Sequence, residues 1–401
     1  GYGVLSENMK TETAERKNIG NMKGIAEEEL SSGRIRMRAG NRLVYLSGAE
    51  MDLKTAPVIR KSLSAFAQNG LYGFTIQDHR YNQAVCWWMK KTRYLQLDEK
   101  EIVVTTGTIS AVNTTIKAFT KAEDGVVLQA PSYYRFDRVI QNHNRKVVYN
   151  PMTYVNGNYG IDFENLQLCC KDPANKILLI CNPHNPTGRV FTKQELQKMI
   201  DIARENQMII FCDEIFGEMV SDKQSFCSAL TVGEEGIIVS TSLGKSFNFT
   251  GVNQANLLIR DLDLRERFLE QQKKDHMGSI DPFFYNALCS AYTEEGYQWI
   301  QEVWKLVKNN EQRIREFCEK KMPLIKPVPL EGGFILWLDM GSMGMDDEAL
   351  QDFMEQEANV VGDPGIEYGS LGKGFYRIQI AAPEEKICKM LEQMEKAYMR
   401  G

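Results

Sequence analysis

The chain has 401 residues, a net charge of -5, and a composition that is 43% hydrophobic and 25% charged. That length calls for two or three lobes, and the mild acidity excludes an electrostatic nucleic-acid binder, which would show a basic patch. No apolar run reaches the roughly 18 residues a membrane span needs, and the opening GYGVLSENMKTETAERKN lacks the charged-then-apolar pattern of a secretion signal.

Nine cysteines without a CxxC pair point to a reducing cytoplasm, and Cys181 and Cys212, inside apolar runs, are expected as buried thiols. His79, His143, His184 and His276 are scattered, and no metal motif appears.

In chain order, the polar segment 1–40 is expected to join a smaller C-terminal lobe or to pack on a partner. From there to about residue 260, apolar runs alternate with amphipathic stretches. EIVVTT (101–106), GVVLQA (125–130), KVVYNP (146–151), KILLIC (176–181), MIIFCDE (208–214) and GIIVSTS (236–242) read as buried strands. ISAVNTTIKAFTKA and TKQELQKMIDIARENQ read as helices between them, the second opened by a capping box of Thr192 and Glu195. This alternation predicts a doubly wound, mostly parallel sheet whose ligand site lies at the carboxyl ends of the strands. Long helical stretches over about 262–320, then GGFILWLDM, FYRIQIA and a final helix, predict a smaller α+β domain over 291–401, with a larger domain over 41–290.

The unusual residues cluster after the strands. Ser242-Leu243-Gly244-Lys245-Ser246-Phe247 follows a strand, where partial desolvation favours the neutral, nucleophilic amine of Lys245. Taken alone, a lysine in that setting is commonly a surface residue. Asp213 closes the run MIIFC, and a carboxylate there is costly unless paired. Its partner is either a helix N-terminus or arginine, or the protonated nitrogen of a pyridine ring acting as an electron sink. Asn182-Pro183-His184-Asn185-Pro186-Thr187-Gly188 follows KILLIC as a non-helical turn able to aim the Asn185 amide into a site.

NPHNPTG, DEIF and SLGKSFN, in that order and spacing, resemble the fold-type I pyridoxal-phosphate enzymes related to aspartate aminotransferase. The resemblance runs from about residue 43 to 395. It implies an aspartate-aminotransferase-like α/β fold: a three-layer α/β/α large domain with a mostly parallel sheet, and a smaller α+β domain. It also implies pyridoxal 5'-phosphate as cofactor and a homodimer whose active sites draw residues from both subunits. Lys245 then resembles the lysine that carries the cofactor as a Schiff base and moves the substrate Cα proton. Asp213 resembles the partner of the ring nitrogen, and Asn185 the amide near the ring oxygen and substrate carboxylate. Thr106, Gly107, Thr108 and Ser242 resemble the phosphate cup, Tyr133 the ring-stacking aromatic, and Arg377 in FYRIQIA the clamp on the substrate α-carboxylate.

LSGAEMDLKTAP (46–57), GLYGFT (70–75), KSFNFTG (245–251), VVGDPGIEYG (360–369) and GKGFYR (372–377) are similar to the branch that contains cystathionine β-lyases and cysteine C–S lyases. This implies β-elimination giving a thiol, ammonia and pyruvate, with an aminotransferase as the rival reaction. A cofactor-binding regulator without turnover is a third possibility. A nucleotide-dependent oxidoreductase finds no GxGxxG. Four departures stand out. Asn253 occupies the site of a phosphate-binding arginine usual in aminotransferases, and Phe216 replaces a tyrosine or histidine near the ring oxygen. Phe74 replaces a tyrosine that reaches the neighbouring subunit, with Tyr72 nearby, and Glu50 replaces an aspartate.

Overall fold

A computed structural model describes residues 43–221 and 226–400 of the chain. The expectation for segment 1–40 lies outside the described residues.

A seven-stranded sheet forms the centre, in the order β2-β10-β9-β8-β7-β3-β4. The strands are β2 (Ile102–Thr105), β3 (Gly125–Ala130), β4 (Lys146–Pro151), β7 (Asn175–Cys181), β8 (Ile209–Asp213), β9 (Ile237–Thr241) and β10 (Ala255–Leu258). β10 runs antiparallel to both β2 and β9, while β4, β3, β7, β8 and β9 are mutually parallel. The six sequence-predicted strands are the parallel set, β2 sharing their direction across β10. The antiparallel β10 is an addition, and its four residues are too short a run to separate from a loop by pattern.

Alternate side chains on these strands enter two cores, as the period of two in a strand requires. Ile177, Leu179, Phe211 and Ile238 pack with Val112 and Ile116 of helix Thr108–Phe119, Phe136 of helix Tyr134–Asn142 and Phe268 of helix Leu262–Lys274. Leu178, Ile180, Ile210 and Val239 face the other way, onto Leu196 and Met199 of helix Lys193–Glu205 and Trp88 of helix His79–Arg93. Helices therefore cover both faces. The Thr192–Glu195 capping box forms, with both reciprocal bonds present, which stabilises that helix start by about 1 kcal/mol.

One strand differs from expectation. KVVYNP is half-exposed, with Tyr149 among the exposed apolar residues. β4 ends the sheet and, among the described residues, pairs with a strand on one side only, so it is less enclosed than the central strands.

The second sheet is antiparallel, in the order β11-β12-β15-β14, built from β11 (Lys326–Pro327), β12 (Ile335–Asp339), β14 (Asp363–Pro364) and β15 (Phe375–Gln379). The 28-residue helix Glu294–Lys321 buries Trp299, Val303, Val307 and Ile314 on one stripe, as a 3.6-residue period dictates. Its buried Asn310 donates to the carbonyls of Ile380 and Ala382, tying the helix to the chain after β15. The start of the described chain returns to this region, because β1 (Val44–Tyr45) pairs in parallel with β13 (Val360–Val361). Among the described residues no helix is long and apolar enough to cross a membrane.

Candidate active site

Parallel strands end on one edge, and their carboxyl ends bring together residues far apart in sequence. A solvent-connected cavity of about 160 Å³ lies there, lined among others by Gly107, Thr108, Tyr133, Asn185, Asp213, Ser242 and Lys245.

Lys245 belongs to a single helical turn, Leu243–Ser246, directly after β9. Ser242 caps this turn: its Oγ accepts from the Gly244 N–H at 3.1 Å and donates to the Gln254 carbonyl at 2.7 Å. The turn is thereby fixed to the strand beside it. The Lys245 ammonium donates to the Ala49 carbonyl at 2.9 Å. Asn248, two residues beyond the turn at φ +53°, accepts from the Met51 N–H and donates to the carbonyls of Met51 and Leu53. The AEMDL segment is thus laced to KSFN, a contact that sequence reasoning did not supply.

Asp213 ends β8, paired with Cys181 of β7 and Ser240 of β9. It is buried, and burial pushes its carboxyl up to about 7, although the Ile215 N–H at 3.1 Å and the charge of Lys245 pull the other way. A carboxylate held this way on a cavity wall calls for a cation next to it.

Gly107, at φ +86°, starts helix Thr108–Phe119, which has no side-chain cap. The backbone N–H groups of its first turn and the helix dipole suit an anion. A Cβ at Gly107 would lie 2.1 Å from Oδ1 of Asn253, so a side chain there would displace that amide as well as strain the positive φ. Thr108 shares a hydrogen bond with Ser240 at 2.8 Å. Thr106 does not line the cavity; its hydroxyl is engaged with Ser110 at 3.1 Å and Met277.

Asn185 lines the cavity, and its Oδ1 accepts from Arg377 at 3.0 Å. Arg377 is buried behind it rather than on the wall. Both its Nε (2.9 Å) and Nη2 (2.6 Å) donate to Oδ2 of Asp363, and it stacks on the Tyr368 ring at 5.0 Å. Tyr133 forms the N-cap of helix Tyr134–Asn142, and burial foremost raises its hydroxyl to about 12, so it stays protonated. Phe216 is buried edge-on against Phe334 at 5.4 Å. Phe74 lies fully exposed, and Tyr72 donates to the Ala67 carbonyl.

Beneath the site lies a charged cluster not foreseen from sequence. Buried Arg93 donates to Glu214 at 3.1 Å and to Glu218 at 2.9 Å. Glu218 also accepts from Ser246 at 2.8 Å, and Glu214 from Ser228 at 2.9 Å. The two glutamates follow Asp213, and Ser246 follows Lys245, so one guanidinium braces both loops.

The family model for aminotransferase class I and II matches residues 41–393. Cystathionine beta-lyase PatB of Bacillus subtilis is 27% identical over 333 residues, covering 82% of this chain and 86% of that one. Aromatic-amino-acid aminotransferase 2 of Thermococcus litoralis is 25% identical over 360 residues, covering 88% and 91%. Cystalysin from Treponema denticola, whose crystal structure contains a pyridoxal 5'-phosphate cofactor, superposes with a TM-score of 0.91 at 32% identity, covering 97% of this chain and 98% of that one.

Proposed function

This chain belongs to the aminotransferase class I and II family, and from that premise we propose that it is a pyridoxal-phosphate-dependent C–S lyase. Its substrate is a sulfur-containing amino acid such as cystathionine or another cysteine conjugate. The observation that carries this reading is the convergence of Lys245 and buried Asp213 on one cavity, in a chain similar to cystalysin over nearly its whole length.

The residues present fit the cofactor. Asp213 needs a neighbouring cation to ionise, and a protonated ring nitrogen supplies one. Gly107 and the uncapped helix start suit the phosphate, with Thr108 and Ser242 beside them. When bound, pyridoxal phosphate supplies a sink for the electron pair released at the substrate Cα. Asp213 would hold the ring nitrogen protonated, and Tyr133 would offer its ring to the cofactor. Arg377, oriented by Asp363, and Asn185 receive the α-carboxylate, a task suited to the guanidinium fork. The Lys245 amine takes the Cα proton. Expulsion of the β-thiolate, followed by addition of water, gives thiol, ammonia and pyruvate.

Asn253 over Gly107 supports the lyase over the aminotransferase, since no arginine stands at that point of the cup. The rival keeps its place through the similarity to the Thermococcus aminotransferase, for which Lys245, Asp213 and Arg377 would serve equally. We also propose a homodimer, because Leu71, Tyr72, Phe74 and Ile76 form an exposed apolar segment of the kind that a partner covers. A cytoplasmic location fits nine free cysteines, and we propose a larger domain over 41–290 and a smaller one over 291–401, a division supported by the presence of two main sheets.

The test is product formation by cofactor-loaded protein with L-cystathionine, with and without an added 2-oxo acid. Pyruvate and ammonia without the oxo acid are expected, and Lys245→Ala should abolish both. Amino transfer strictly dependent on the oxo acid would make the chain an aminotransferase.

A further inference from the structure

The cavity wall carries a cation that the proposed chemistry does not employ. Arg135 lines the same wall as Tyr133, Phe136 and Lys245, yet its side chain is largely exposed. Among the described residues it has no carboxylate within ion-pairing distance, in contrast to Arg377, committed to Asp363, and Arg93, committed to Glu214 and Glu218. The contrast with its own helix is equally informative. Arg138, one turn on, lies over the Tyr134 ring at 4.8 Å.

Helix stability does not account for Arg135. It occupies the first turn of helix Tyr134–Asn142, where the dipole disfavours a cation. The cavity it lines also carries Ile109, Phe136 and Val252, which suit methylene groups. Both Arg135 and Arg377 are close enough to Tyr133 to act on its hydroxyl. One guanidinium on the Tyr133 side of the cavity is therefore held by a buried carboxylate, and a second, Arg135, has a side-chain hydrogen bond with Tyr134 and no carboxylate partner among the described residues.

We propose that Arg135 selects the substrate side chain: it receives a carboxylate at the far end of a β-substituted amino acid whose α-carboxylate is taken by Arg377. The preferred substrates are then cysteine S-conjugates whose leaving thiol carries a negative charge. This rests on the lyase reading of the same cavity and adds the class of leaving group to it.

The test compares S-(2-carboxyethyl)-L-cysteine with S-propyl-L-cysteine, which match in length and differ in the terminal charge. Binding is followed in the holoenzyme by the change in cofactor absorbance, and pyruvate release is measured alongside. The wild type should bind the carboxylate compound about two- to fivefold more tightly, as expected for a partly exposed charge pair. That ratio should shrink with added salt. Arg135→Ala should bring the ratio to about one and Arg135→Glu should invert it, whereas Arg138→Ala should preserve it. An unchanged ratio in Arg135→Ala overturns the proposal. Weakened retention of pyridoxal phosphate with an unchanged ratio also overturns it, and assigns Arg135 to the cofactor phosphate. Absence of pyruvate from both compounds would refute the lyase reading, while the binding ratio would still judge Arg135.

Discussion

Asp213→Asn should make the cofactor-free protein more stable at alkaline pH while weakening its hold on the cofactor. The carboxyl is lifted from 3.8 to about 7 by burial. At about 1.4 kcal/mol per pH unit, it is about 4 kcal/mol harder to ionise in the folded chain than in the unfolded one. The folded state therefore binds the proton more tightly, and stability must fall as pH rises between those two values. The contribution is fully present below 3.8 and gone above about 7, and about 3 kcal/mol of it disappears between about pH 5 and about pH 8. Asparagine keeps the acceptor for the Ile215 N–H and removes the titration. Urea unfolding of cofactor-free wild type and variant at both pH values isolates the effect as a difference of differences. In thermal unfolding, about 4 kcal/mol over a chain of this length corresponds to about 5 °C at the alkaline end. Added pyridoxal phosphate should stabilise the wild type more than the variant, because only the wild type offers a carboxylate to the ring nitrogen. Parallel pH profiles for the two proteins would refute the argument, since Asp213 would then ionise as freely folded as unfolded.

Two further substitutions probe the buried charges. Arg377→Ala should raise KM for amino acids about tenfold or more, the scale of a lost charge-assisted contact; steady-state kinetics with unchanged KM would remove Arg377 from the substrate site. Arg93→Ala strands Glu214 and Glu218 without a counter-charge, which costs about 3–5 kcal/mol and lowers Tm by about 4–6 °C. A calorimetric change below about 1 °C would show that the cluster does not brace the loops.

The parallel strands and the residues at their ends were legible because both depend on local pattern. β7 and β8 are continuous aliphatic runs, as strands buried on both faces must be. Asn185, Asp213 and Lys245 each follow such a run, and all three line the cavity. β10 was not legible: its four residues include Asn256, and only pairing with β2 and β9 makes them a strand. Thr106 illustrates a different limit. A TGT run at a strand end predicts a cup, but which hydroxyl faces inward depends on Ser110 and Met277, the latter 171 residues away.

The charges show the same division more sharply. Sequence placed Arg377 in a site from its motif, yet a guanidinium is an open receptor or a braced one according to what surrounds it. Arg377 is braced through Asp363 and Asn185, the latter 192 residues away, and Arg93 through Glu214 and Glu218, 121 and 125 residues away. No periodicity encodes such pairings, because burying a charge is stable only when long-range contacts complete it. Arg135 on the cavity wall differs from both, because no carboxylate pairs with it among the described residues. That is why Arg135, in a sequence stretch read for its tyrosine, carries the substrate-selection proposal.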